Sequence, residues 1–246
     1  AFDDWNRQGG VLNRRLVWSL YSTDCTFDAA RRATQQALAD GFRFIIGPLC
    51  SEAAIATAIE AQAGQALVMA PAATHPLVTI DAQNQTRPTV FRSGFGYELQ
   101  GQAAAQFAIQ HLNIANTALL TVAGSDYSQA LGRVFAAEFS AGGGEIVHQA
   151  VYPGSNEETP ALLAQIEQSG AELIYFPSFP AEANQLARQL NALSTAPVLL
   201  GSDAWDSDGL DLAATAGSYF PTHFSTQANA WSEAYNAAYA IEPTAL

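Results

Sequence analysis

The stretch FRFIIGPLCSEAAIATAIEAQAGQALVMAP, Phe42 to Pro71, holds the pattern that decides the fold. An apolar run, FRFIIG, stops at Gly47 and Pro48. The segment from Glu52 to Gly64 carries Ala, Ile and Thr at helical spacing. A second apolar run, QALVMAP, follows from Gln65. Short apolar runs bounded by Gly and Pro read as strands, and the amphipathic segment between them reads as a helix. Strand, helix, strand makes the two strands parallel neighbours, because parallel pairs need a crossover of this length.

The alternation continues in both directions. RLVWSLY, from Arg15, reads as a strand, and DAARRATQQALAD, from Asp28, as a helix. Downstream, helices are expected from Glu98, Ser128, Thr159 and Pro180, and strands from Thr117, Glu145, Glu172 and Ala196. SYF, from Ser218, is a last short extended piece, and QANAWSEAYNAAYA, from Gln227, a last helix. The series breaks near Asn113 to Asn116, where HLNIANT ends one helix and opens a fresh strand. The expected class is α/β, with two doubly wound parallel-sheet lobes and a ligand cleft between them.

Composition excludes several function classes. The 246 residues carry a net charge of −13 and contain ten arginines but no lysine. Nucleic acid is excluded as a partner, since phosphate binding needs clustered cations. Without lysine there is no phosphate-loop lysine, no pyridoxal Schiff base and no Ser-x-x-Lys nucleophile. Hydrophobic residues make up 49% and charged residues 13%, which suits a folded chain with a sizeable core. Apolar runs are too short for a membrane span. The sequence opens on AFDDWNRQGG with no visible signal peptide, as a mature or trimmed chain would.

Ligands in open α/β sheets bind at the carboxyl ends of strands. Here those ends read PLCSE, AATHP, GSDYS, SFPAE and SDAWDSDG, each rich in hydroxyls, aromatics or carboxylates. Ser51 stands where a helix opens and suits a helix cap or a ligand carboxylate. Thr74 is a second hydroxyl at a strand exit. Asp203 is the first carboxylate after an apolar strand, suited to a ligand ammonium or to an Asx turn. DSDGLD, from Asp206, departs from the calcium-loop pattern. His75, His111, His148 and His223 show no paired metal spacing, so neither metal nor cofactor is expected.

Cys50 leaves two readings open. A thiol at a helix N-terminus is acidified and could act as a nucleophile, with His75 as a base. Alternatively it pairs with Cys25, 25 residues upstream at the end of another expected strand. Closing a loop of that length stabilises by roughly 3 kcal/mol.

Several segments resemble the leucine/isoleucine/valine-binding proteins of bacterial ABC transporters. They are NRQGGVLNRRLVWSLYSTDCTFDAA (from Asn6), IIGPLCS, PAATHP, VFRSGFGYELQG (from Val90), YPGSNEETPALLAQI (from Tyr152) and YNAAYAIEPTAL (from Tyr235), in the family's order. The resemblance implies a type I periplasmic binding protein fold. Residues 1–115 with about 224–246 would form lobe 1, and 116–223 lobe 2. The family's first strand would precede Ala1, and further elements would follow Leu246. The resemblance also implies a Cys25–Cys50 disulfide. Ser51, the Ala72 carbonyl and Thr74 would hold the carboxylate and ammonium of an amino acid. Tyr127, Phe179, Asp203 and Trp205 would face it from the second lobe. Phe179 lacks the hydroxyl of a tyrosine often found in its place, and Asp203 is one methylene shorter than the family's glutamate. The implied function is capture of a branched-chain or other hydrophobic amino acid, without catalysis, by a monomer that delivers it to an ABC transporter permease. The implied location is the periplasm or another extracytoplasmic site, with or without a lipid anchor. Rival readings are a ligand-sensing receptor, an amide- or urea-binding regulator of the same fold, and a hydrolase using Cys50.

Overall fold

The computed structural model describes residues 2–154, 157–190, 193, 196–222 and 230–240. Two separate parallel sheets organise the chain. The first has the order β1-β2-β3, formed by β1 (Phe44–Ile46), β2 (Leu67–Ala70) and β3 (Val90–Arg92). The second has the order β5-β4-β6-β7, from β4 (Asn116–Val122), β5 (Glu145–Tyr152), β6 (Leu173–Tyr175) and β7 (Val198–Leu200). The helices are α1 (Phe2–Arg7), α2 (Phe27–Ala39), α3 (Ser51–Ala63), α4 (Tyr97–Gln110), α5 (Asp126–Ala141), α6 (Thr159–Ser169), α7 (Pro180–Leu190) and α8 (Ala230–Tyr239). The expected α/β class and parallel sheets are present. Among the described residues, no helix is long and apolar enough to cross a membrane.

In the second sheet β4 lies between β5 and β6, so the winding reverses at β4. Such a reversal leaves a crevice at the carboxyl ends of the strands. Both faces are covered. Leu120, Ile174, Phe176 and Leu199 pack with residues of α6 and α7, including Leu163, Ile166 and Leu186. Leu119, Leu173, Tyr175 and Leu200 pack on the other face with Phe135 and Phe139 of α5 and Ala104, Ala105 and Ala108 of α4. The α4 helix follows a strand of the first sheet yet buries its small residues against the second. Residues 97–110 fall inside the stretch 1–115, but their packing belongs to the neighbouring sheet.

The first sheet is covered by α3, whose Ala54, Ala58 and Ala61 meet Val68 and Val90, and α2 packs on α3 with Leu38 against the same cluster. The opposite side chains, Phe44, Ile46 and Phe91, are exposed.

Two segments depart from expectation. Residues 15–21 form no strand, and Val17, Trp18 and Leu20 are exposed. A strand needs a neighbour to take its backbone groups. Here the Asn6 side chain serves Leu16 in that role, its amide donating to the Leu16 carbonyl at 3.0 Å and its oxygen accepting the Leu16 N–H at 2.7 Å. SYF contributes only one parallel bridge, Tyr219 to Leu200. Conversely, VFR forms β3, a strand that its three-residue length concealed. Residues 223–229 and 241–246 lie outside the described residues, and with them His223 and most of the segment 224–246 expected to join the first lobe.

Candidate functional site

The first half of the site grows from the exits of β1 and β2. Gly47 ends β1 with φ 103°, a conformation that L side chains rarely adopt. The chain then reaches Cys50, which is the N-cap of α3 but makes no side-chain cap bond. Cys50 is bonded to Cys25, with Cα atoms 5.5 Å apart, within the usual disulfide range. With its sulfur in that bond, Cys50 presents no thiolate.

Ser51 is therefore the first residue of α3, not its cap. Its hydroxyl oxygen turns outward and accepts the backbone N–H groups of Thr74 (3.2 Å) and His75 (3.3 Å). This ties the helix start to the loop after β2, on which Ala72 is half-buried. The Thr74 carbonyl accepts from the Arg92 guanidinium at 2.8 Å and from the Tyr97 backbone N–H at 3.0 Å. Arg92 also donates to the His75 carbonyl at 3.2 Å. Thr74 is only 1% exposed, and its hydroxyl has no hydrogen-bond partner among the described residues. An unsatisfied buried hydroxyl is uncommon and calls for an explanation.

His75 closes this half. Its Nδ1 accepts the Leu77 N–H at 3.1 Å, and its ring meets Tyr97 edge-on at 5.4 Å. Burial lowers the His75 pKa below the ordinary histidine value. Asp126 and Glu98 oppose that shift, while Arg92 and Arg133 reinforce it.

The second half gathers at the exits of β4, β6 and β7. Ser125 caps α5 by accepting the Ser128 N–H, which places Tyr127 in the first turn. After β7, Ser202 precedes a 3-10 turn, Asp203–Trp205, and its hydroxyl donates to the Ser178 carbonyl at 3.1 Å. This turn delivers the Asp203 carboxylate, 4% exposed, to the Tyr127 hydroxyl and to the Gln100 side chain of α4. Gln100 Nε2 donates to Asp203 Oδ1 at 2.5 Å, and Tyr127 donates to the same oxygen. Burial raises the Tyr127 pKa well above that of free tyrosine, and the Asp203 charge and hydrogen bond add to the shift. Tyr127 therefore remains a hydroxyl donor. Phe179 is partly exposed, its ring 5.6 Å from that of Tyr127.

Ser51, Thr74, Tyr127 and Asp203 are linked by hydrogen bonds that run through α4, Phe179 touches Tyr127, and Ala72 lies on the loop with Thr74. Ser51 holds Thr74, Thr74 anchors the first backbone N–H of α4, and one turn later Gln100 of that helix holds Asp203. Trp205 shares the Asp203 turn, but its ring is packed into the core with residues of α6 and α7. It is 1% exposed, its Nε1 donates to the Ser178 carbonyl at 3.1 Å, and its ring covers Gly201. A Cβ on Gly201 would lie 2.2 Å from the indole. Trp205 supports the Asp203 turn from beneath. The DSDGLD carboxylates serve turn contacts: Asp206 accepts from Thr222, and Asp211 pairs with Arg188 at 2.7 Å.

Gln100 and Arg92 were not singled out from the sequence. Gln100 had a signal: with Ala104 and Ala108 it forms an i, i+4, i+8 stripe that is otherwise small and apolar. A polar residue buried on such a stripe needs a partner.

The family model of the periplasmic binding proteins matches residues 1–245. The Leu/Ile/Val-binding protein BraC3 of Rhizobium johnstonii is 28% identical over 204 residues, covering 82% of this chain and 54% of that protein. The chain spans about half the length of the curated relatives it matches. Among solved structures, a leucine-binding protein, LivK, of Thermotoga maritima superposes with a TM-score of 0.87 at 25% identity, covering 99% of this chain and 71% of that one. LivJ of Streptococcus pneumoniae, in complex with isoleucine, gives a TM-score of 0.87 at 21% identity, with coverage of 99% and 71%.

Proposed function

The chain belongs to the periplasmic binding protein family, and from that premise we propose that it captures a branched-chain or other hydrophobic amino acid for an ABC transporter. The named relatives that bind leucine or isoleucine support this choice of ligand. In this reading 1–115 with about 224–246 forms one lobe and 116–223 the other, and α4 joins them. The protein acts as an extracytoplasmic monomer, where its disulfide would persist. It performs no chemical step.

The observation that carries the proposal is the placement of Asp203. A buried carboxylate is costly unless hydrogen-bonded or paired with a cation. Two of its donors, the Gln100 amide and the Tyr127 phenol, are neutral, and a carboxylate so placed suits an ammonium. The unsatisfied Thr74 hydroxyl lies on the loop joined to the same helix. Ser51 and the α3 N-terminus offer the ligand carboxylate a hydroxyl and a favourable helix dipole. A carboxylic acid without an amine would instead meet Asp203 as a like charge. Lobe closure follows because only the closed state contacts the ligand from both sides.

Titration calorimetry with L-leucine tests the proposal. Asp203→Ala should weaken binding by about 2–5 kcal/mol, the scale for truncating one partner of a buried charge pair. Combined with Ser51→Ala it should abolish binding while the circular dichroism spectrum is retained. Unchanged affinity in the folded double variant refutes the site.

A further inference from the structure

The amide of Gln100 has two ends, and each bears on the same ligand group. Its nitrogen donates to Asp203 Oδ1 at 2.5 Å, while its oxygen is buried without a hydrogen-bond partner among the described residues. The residue is 1% exposed, so water does not readily satisfy that oxygen. Glutamine carries two donors and an acceptor, and burying the acceptor unpaired is unfavourable.

Three features place this amide at the junction of the two halves. The backbone N–H of Tyr97 is bonded to the Thr74 carbonyl, which fixes the start of α4 against the first sheet. Gln100 lies one residue before Gly101, where a Cβ would meet Val134 Cγ1 at 2.7 Å and the Phe135 nitrogen at 3.2 Å. Glycine there lets α4 sit close against α5, which carries Tyr127. Tyr127 and Gln100 then grip one oxygen of Asp203 from two helices. The terminal torsion of an aspartate is otherwise broad. Two donors on one oxygen fix the plane of the carboxylate.

Resting on the amino-acid reading above, we propose that Gln100 completes the ammonium subsite: its nitrogen orients Asp203 and its oxygen accepts one N–H of the ligand's ammonium. An α-ammonium has three N–H donors. Asp203, the orphan Thr74 hydroxyl and the orphan Gln100 oxygen supply three acceptors. Gln100 thereby discriminates an amine from the hydroxyl of a 2-hydroxy acid. An arginine in its place would cancel the Asp203 charge and remove the acceptor.

The test uses the wild type, Gln100→Ala and the near-isosteric Gln100→Met, with L-leucine and 2-hydroxy-4-methylpentanoate as probes displacing labelled L-leucine. Both variants should lose at least tenfold in L-leucine affinity while affinity for the hydroxy acid changes little, so the preference for the amine narrows by that factor. Undiminished L-leucine affinity in a folded variant overturns the proposal, as does equal weakening for both probes. A wild type that binds no amino acid defeats the amino-acid reading itself, a result distinct from any variant effect. The clasp is judged without ligand by the Gln100 side-chain amide resonances, which should move on Asp203→Asn. Unmoved resonances overturn the pairing.

Discussion

Replacing Gly101 by alanine sets two opposed effects against each other. Alanine favours a helix interior over glycine by about 1 kcal/mol. At this position, however, the new methyl would lie 2.7 Å from Val134 Cγ1, 2.8 Å from Val134 Cβ and 3.2 Å from the Phe135 backbone nitrogen. Valine is stiff about χ1 and the backbone of α5 is held by its own helix, so neither yields cheaply. Overpacking of this kind costs about 1–3 kcal/mol. The steric term should win, leaving a net loss of about 1 kcal/mol and a fall in Tm of about 2–4 °C for a chain of this size. Urea denaturation followed by circular dichroism measures it. The companion variant Val134→Ala removes the Cγ1 contact but keeps the Cβ at 2.8 Å and the Phe135 nitrogen at 3.2 Å, so in that background Gly101→Ala should cost less than in the unaltered protein without becoming stabilising. This partial relief is the signature of direct contact between α4 and α5. A single Gly101→Ala change that stabilises the otherwise unaltered protein would refute the close approach, and with it the reason Gln100 reaches Asp203.

Other outcomes follow from the same structure. Reducing the Cys25–Cys50 bond, or replacing both cysteines by alanine, should cost about 3 kcal/mol on the loop of 25 residues, read by denaturant melts with and without reductant. Phe135→Ala should cost about 3–5 kcal/mol, because the ring is fully buried and stacks on Tyr175 at 3.9 Å. The lowered His75 pKa means the unfolded chain binds the proton more readily than the folded one. Stability should therefore fall as pH drops from the ordinary histidine value of 6.5 toward the lowered one. His75→Asn, which keeps an acceptor for Leu77, should flatten that part of a stability–pH profile. With a net charge of −13 and no lysine, stability should rise between low and high salt as self-repulsion is screened, and a flat salt response would contradict this.

Much of this architecture was legible in the residues. The apolar run closed by Gly-Ser gave β7 because a parallel strand buried in a sheet carries no polar alternation, and the run closed by Gly-Pro gave β1 although Phe44 and Ile46 are exposed. The strand exits could be located because hydroxyls and carboxylates cluster just beyond them. Residues 15–21 misled because composition reports that a segment fits a strand, whereas a strand exists only with a neighbour to take its hydrogen bonds. Trp205 misled because its partner, Gly201, marks a packing gap only once the turn is folded back. Ser51 was placed one residue off because the cap is set by backbone conformation, which Cys50 adopts (φ −76°, ψ 138°) without a capping side chain. Gln100 stayed hidden for a topological reason. Its neighbours in sequence belong to the first sheet, while its buried face belongs to the second, and periodicity reports a face without naming what covers it.

The most direct measurement is a crystal structure of this chain grown with L-leucine. The account predicts the ligand amine within hydrogen-bond distance of Asp203, Thr74 Oγ1 and Gln100 Oε1, and its carboxylate at the Ser51 hydroxyl and the start of α3. An amine directed away from Asp203, or leucine seated at a different place on the chain, would contradict it.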